Sequence, residues 1–186
     1  IPAVVKWPGI EAQVFDGLQY HLDIGATIVD LAGLKVPRHW DGQSVAGHLR
    51  GKTSGGRDHL VLSQGAWSCQ RSVRWDDYLY LRTWHDGFHA HWNEEMMFDI
   101  TQDPHEQKDL FSSQPEKVVE GKELLQTWTE EQLDRSYSST DPMEVVLEEG
   151  GPFHVRGHLP SYLERLEKTG RSRWAEILRE RHGVGK

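Results

Sequence analysis

Four strand signals crowd into residues 59–100, and one long helical pattern follows at 115–134. That order limits this part of the chain to a small sheet with a helix laid on it. His59-Leu60-Val61-Leu62-Ser63 is the first strand signal, and Gln70 to Trp75 alternates as the second. Asp76-Asp77 is a tight turn into Tyr78-Leu79-Tyr80-Leu81-Arg82, so 70–82 is expected to be a hairpin. Met96-Met97-Phe98-Asp99-Ile100 supplies a fourth strand. The expected result is an antiparallel sheet with one face to cover. The cover is the helix, with Pro115 in its first turn and Val118, Leu125, Trp128 and Gln132 near helical spacing.

The flanks read differently. Residues 3–7, Ala-Val-Val-Lys-Trp, are rich in β-branched residues and stop at Pro8-Gly9, which predicts a buried strand. A helix is expected over 22–33, capped by His21 or Asp23 and ended by Gly33, with Leu22, Ile28, Val29 and Leu31 toward the core. Residues 35–58 read as surface loop. Beyond Tyr137 the chain turns Ser-rich, then Gly150-Gly151-Pro152, and two helices are expected at 159–168 and 172–182, separated by Gly170. The opening residues form no initiator Met, signal peptide or capping element, so the chain reads as a piece of a longer protein.

Composition removes several classes. Apolar residues are 37% and Trp is present eight times, which suits a packed core rather than disorder. The acids number 29 against 21 Lys and Arg, a net charge of −8, so a nucleic-acid surface is not expected. No apolar run is long enough for a membrane helix. The single Cys69 rules out an internal disulfide and a thiolate zinc cage.

Three groups of residues invite a chemical reading. Asp99, Asp103 and Glu106 could present oxygens to Ca²⁺, but the segment also reads as strand, turn and Asp-Pro, with Asp103 accepting from backbone N–H groups, and that reading is preferred. Trp84 to Trp92 is the densest polar and aromatic stretch. On a strand, His89 and His91 would share a face and could ligate zinc or copper with His85. The plainer reading is a hairpin tip with exposed His and packed Trp, and a third is a pocket wall for a sugar or aryl group. Cys69 has no helix start or glycine elbow beside it to make it a nucleophile. No glycine pattern forms a phosphate loop. No catalytic residue is therefore assigned.

Five segments in order carry a resemblance. They are Ile1-Pro2-Ala3-Val4-Val5-Lys6-Trp7-Pro8-Gly9; His21-Leu22-Asp23 through Thr27 to Leu31-Ala32-Gly33; Asp41-Gly42-Gln43-Ser44; Arg71-Ser72-Val73-Arg74 to Leu81; and Met96 to Phe111 with Asp103-Pro104-His105-Glu106. In this order and spacing, over about residues 1–135, the chain resembles the C-terminal part of the sulfatase family, arylsulfatase-type, within the alkaline-phosphatase superfamily. It departs at Gly25-Ala26-Thr27, where the family has Pro-Thr, which would loosen the helix start, and at Leu79, where Lys is frequent.

The resemblance implies an α/β fold of which this chain is an α+β part: the end strand of a large mixed sheet, then a small antiparallel sheet packed on a helix, then a helical tail. The implied divisions are 1–57, the tail end of the main domain; 58–136, the sheet-plus-helix subdomain; and 137–186, a helical extension. The family's nucleophile is a formylglycine made from a C/S-x-P-S-R motif and its metal is Ca²⁺. Both belong to segments N-terminal to Ile1 in the family, and Cys69, followed by Gln70-Arg71-Ser72, cannot be that nucleophile.

The implied partners are the N-terminal part of the same protein and a sulfate-ester substrate, with a phosphate or phosphonate ester as the alternative and an independent binding module as another. Self-association as a homodimer through the unpaired strand at 3–7 is a further expectation. The resemblance places Trp67, Gln70, Arg71, His85, His89 and His91 in loops at the end of the subdomain nearest the active site. There Arg71 would either meet a substrate anion with its fork or pair with Asp76 or Asp77 across the hairpin.

Overall fold

The computed structural model describes residues 3–52 and 56–184. The chain forms two compact units, residues 1–60 and 61–186.

In the first unit, helix α1 spans His21–Leu31 and a short helix, α2, spans Ala46–Leu49, inside the stretch expected to be all loop. Asp23 organises both. Its carboxylate accepts the Tyr20 N–H at 2.7 Å, which caps α1, and the Gln43 N–H at 2.7 Å. Arg57 grips the same group through Nε at 2.9 Å and a terminal nitrogen at 2.5 Å, and also donates to the Asp41 carbonyl. Asp23 is only 1% exposed, yet each oxygen is satisfied, as a buried carboxylate requires. Burial works against its ionisation, but Arg57 and the two N–H donors outweigh it and hold the carboxyl below its ordinary range.

The expected inward face of α1 is therefore corrected. Leu22 and Ile28 are 56% and 47% exposed, and the buried stripe is Asp23, Ala26, Thr27 and Leu31. The helix is rotated so that its acid, paired with Arg57, faces in.

The Asp41-Gly42-Gln43-Ser44 turn is tied to that stripe. Thr27 Oγ1 accepts the Val45 N–H at 3.0 Å, and Ser44 Oγ donates to Asp30 at 2.6 Å. A Cβ on Gly42 would lie 2.3 Å from the Leu22 carbonyl oxygen, so only glycine fits. Gly33 ends α1 at a φ of 78°, with its N–H on Asp30 and that of Leu34 on Val29, the paired bonds of a Schellman ending. Gly25 does not open the helix. It sits inside α1, beside the Trp40 ring.

Residues 3–7 form no sheet among the described residues. Val4 is 96% and Val5 46% exposed, and the expected strand is corrected to an unpaired segment. An extended stretch gains its stability from pairing, and no strand among the described residues supplies it. Residues 1–2 of that reading, and 53–55 of the expected loop, lie outside the described residues.

The four expected strands form as β1 His59–Gln64, β2 Cys69–Trp75, β3 Tyr78–His85 and β4 Glu95–Asp99, in the order β1-β2-β3-β4. The hairpin register pairs Trp75 with Tyr78 across Asp76-Asp77, and Asp76 takes a φ of 41°, which Asp tolerates. A bulge falls between Cys69 and Gln70. Helix α3, Pro115–Arg135, covers Val73, Trp75, Tyr80 and Met97 with Val118 and Leu125. Gly121 allows the approach, since a Cβ there would sit 2.6 Å from Tyr80 Cβ.

The other face is apolar too: Leu79, Met96 and Phe98 are buried with Leu81, Trp92 and Ile100 against them. The expectation of one face to cover is thus corrected to two.

The tail holds three helices, α4 Pro142–Glu148, α5 Leu159–Lys168 and α6 Ser172–Arg181. Asp141 caps α4 by accepting the Met143 N–H at 2.9 Å, with Pro142 in the first turn. Leu163, Leu166, Ala175 and Leu178 form a second core with Phe88, Ala90 and Val155. Residues 137–186 therefore share a unit with the sheet.

Candidate functional site

The loop after β3 is built by one buried acid. Asp86 is 3% exposed. Its Oδ1 accepts the Phe88 N–H at 2.9 Å and lies 3.0 Å from His182 Nε2, while its Oδ2 accepts from Arg181 at 2.8 Å. Arg181 also donates to the Ala90 carbonyl at 3.0 Å. The end of α6 thus holds both sides of the loop. Burial opposes ionisation of Asp86, but His182, Arg181 and the Phe88 N–H override it and push the carboxyl far below its ordinary range. Gly87 and Phe88 follow at φ values of 60° and 67°. A Cβ on Gly87 would lie 1.8 Å from the Trp67 carbonyl oxygen, so glycine is required.

The three histidines part company on this loop. His85 points inward at the end of β3. Its Nδ1 accepts the Gly87 N–H at 3.1 Å, its ring lies 4.9 Å from that of His182, and a Cβ on Gly151 would touch it at 2.6 Å. Burial first, and His182 second, lower its pKa, which keeps the ring neutral. His89 and His91 are exposed, with ring centroids 5.8 Å apart, and they sit in turns rather than on a strand. His89 packs on Trp92 at 4.3 Å, and burial followed by His91 lowers its pKa. The shared strand face expected of His89 and His91 is corrected accordingly. Among the described residues no group of three or more His, Cys, Asp or Glu is placed to hold a metal ion.

Asp99 Oδ1 accepts the N–H groups of Thr101 and Gln102, and Asp103 Oδ2 those of Gln107 and Lys108. Both acids therefore act as turn acceptors.

Trp67 is 60% exposed and stacks on His154 at 3.9 Å. Gln70 is buried. Its Oε1 accepts from Gln64 and Ser68, and its Nε2 donates to Thr83. Arg71 is also buried. Its fork donates to both oxygens of Asp141 at 2.8 and 2.9 Å, its Nε donates to Ser63 Oγ, and its guanidinium lies over Trp84 and Trp128. The expected alternative pairing with Asp76 or Asp77 does not form. Those acids sit at the far end of β2, several residues of about 3.3 Å rise away, and Asp77 accepts from Thr101 instead. Cys69 is fully buried, and burial raises its pKa, so it stays a thiol.

Residues 1–133 match the family model described as N-sulphoglucosamine sulphohydrolase, C-terminal. The chain belongs to this sulfatase C-terminal family. A 2-O GAG sulfatase shares 29% identity at a TM-score of 0.59, over 68% of this chain and 29% of its own. A sulfatase-class protein of Bacteroides thetaiotaomicron VPI-5482 shares 29% identity at 0.57, over 73% of this chain and 31% of its own. The chain therefore spans less than a third of each of these proteins. A phosphonate monoester hydrolase from Silicibacter pomeroyi, 18% identical at 0.50, shares the fold alone. The matched family residues include the Asp23, Thr27 and Asp41 to Ser44 network and the sheet with all but the last two residues of α3; α4, α5 and α6 lie beyond the match.

Proposed function

We propose that this chain is the C-terminal part of a longer sulfuric ester hydrolase, in which it supplies scaffold and one wall of the substrate cleft. The supporting observation is the family match over residues 1–133, which covers the whole Asp23-centred network and the four-stranded sheet. In this reading Val4 and Val5, exposed and unpaired here, join a sheet of the longer protein, and the loop at Trp67 and that at His89 and His91 face the substrate.

A formylglycine nucleophile and Ca²⁺ are implied by the family, but the residues present do not fit either. Cys69 is buried, protonated and followed by Gln70-Arg71-Ser72, and no metal-ligating cluster exists among the described residues. In this reading the hydrolysing groups belong to the rest of the longer protein, and the 186-residue chain is expected to have no activity by itself.

The substrate class is tested by comparing kcat/KM of the longer protein for an aryl sulfate and the matching aryl phosphonate monoester. Preference for the sulfate supports the reading, and preference for the phosphonate replaces it with the alternative.

A further inference from the structure

A pocket of about 230 Å³ opens between the loop at 88–91 and helices α5 and α6. Its lining includes the polar side chains His89, His91 and Arg171 and the aromatic side chains Phe88, Tyr162 and Trp174. The Phe88 and Tyr162 rings lie nearly parallel, 5.8 Å apart, and the Arg173 guanidinium lies 5.5 Å from the Trp174 ring.

Two features single this pocket out. The chain has a net charge of −8, yet no Asp or Glu lines the pocket. Asp86, at the start of the same loop, is buried and committed to Arg181 and His182. Arg171 is steadied at Nε by Thr169 Oγ1 at 3.0 Å, while its terminal nitrogens have no partner among the described residues. A guanidinium fork left open beside two imidazoles is a set of donors for an oxyanion. The aromatic side chains in the same lining offer flat apolar surface for the rest of the ligand. The volume falls below the ~300 Å³ at which pockets for drug-sized ligands begin, so it suits a single ring.

We propose that this pocket binds a sulfated pyranose, its sulfate taken by Arg171 with His89 and His91 and its ring laid against Trp174 and Tyr162. Three of these residues come from the tail beyond the family match, so the site is an addition to the common subdomain. The choice of sulfate as the anion rests on the sulfatase reading above; the guanidinium, imidazole and aromatic lining does not.

The test is calorimetric titration of the 186-residue chain with glucosamine 6-sulfate, N-acetylglucosamine and inorganic sulfate. The expected result is saturable binding of the sulfated sugar, at least about ten-fold tighter than either other probe, and weakened about ten-fold by Arg171→Gln and measurably by His91→Ala. Both positions are exposed, so circular dichroism should be unchanged. No saturable binding of glucosamine 6-sulfate, equal binding of the neutral sugar or of sulfate alone, or indifference to both substitutions would overturn the proposal. Turnover by the longer protein is a separate question, and its failure would leave this binding result standing.

Discussion

Arg71 on β2 and Asp141 at the start of α4 form a two-pronged ion pair across 70 positions of sequence, with side chains only 8% and 13% exposed. The pair joins the sheet to the tail and caps a helix with the same carboxylate. Removing Arg71 leaves Asp141 buried and uncompensated. Arg71→Met is expected to destabilise the protein by roughly 3–5 kcal/mol in urea unfolding. Adding Asp141→Asn, which removes the charge and keeps a cap acceptor, should recover part of that loss. Additive losses in the double variant would show that the two residues are not coupled.

Gly121 fixes how closely α3 lies on the sheet. An Ala there gains helix propensity but places its Cβ against Tyr80 and 2.9 Å from the Trp75 ring. The expected net effect is a loss of about 1–3 kcal/mol from overpacking. Glu123→Ala on the exposed side of the same helix should stay within about 0.5 kcal/mol. A stabilised Gly121→Ala would mean that the helix can lift without cost.

Asp86 makes the loop acid-sensitive. Its folded pKa is depressed below the unfolded value of about 3.9, so the folded state binds fewer protons than the unfolded state. The stabilisation is complete above that value and fades as the pH falls below it. His85 has the same sign around its own ordinary value, since burial disfavours its charged form. Unfolding free energy measured against pH should fall on acidification, and Asp86→Asn should flatten the lowest part of the curve while lowering stability at neutral pH. An unchanged acid limb would assign the sensitivity to other groups, such as Asp23 or Asp141, whose pKa values are also depressed.

Trp67 and His89 are two of the surface-facing members of the proposed cleft wall, with His91 the third. In the longer protein, replacing either by Ala should cost on the order of 1–3 kcal/mol in kcat/KM and alter the ratio between two sulfate esters with different leaving groups. Uniform kinetics for both, with folding intact, would reduce these loops to scaffold.

What the sequence discloses depends on how local the determining interaction is. The hairpin at 69–85 is legible because two strand patterns flank a two-residue turn, and α3 because its apolar period runs for many residues. The face of α1 is not, because Asp23 is buried only through Arg57, 34 positions later. Helix α4 is masked by the Ser-rich stretch before it, although Asp141-Pro142 is a local helix-start signal. At the site, the exposure of Trp67, His89 and His91 follows from their loops. The burial of Gln70 and Arg71 does not, since it depends on Thr83 and Asp141, distant in sequence. The tail's contribution of Tyr162, Arg171 and Trp174 beside His89 carries no local signal at all.

Under the proposed function, this chain frames a sulfatase whose hydrolysing groups lie elsewhere. The most direct measurement is sulfate release from an aryl sulfate by the purified 186-residue chain, set beside the longer protein from the complete reading frame. The expected result is turnover by the longer protein and none above a heat-killed control by the chain. Turnover by the chain that survives repurification would contradict that function.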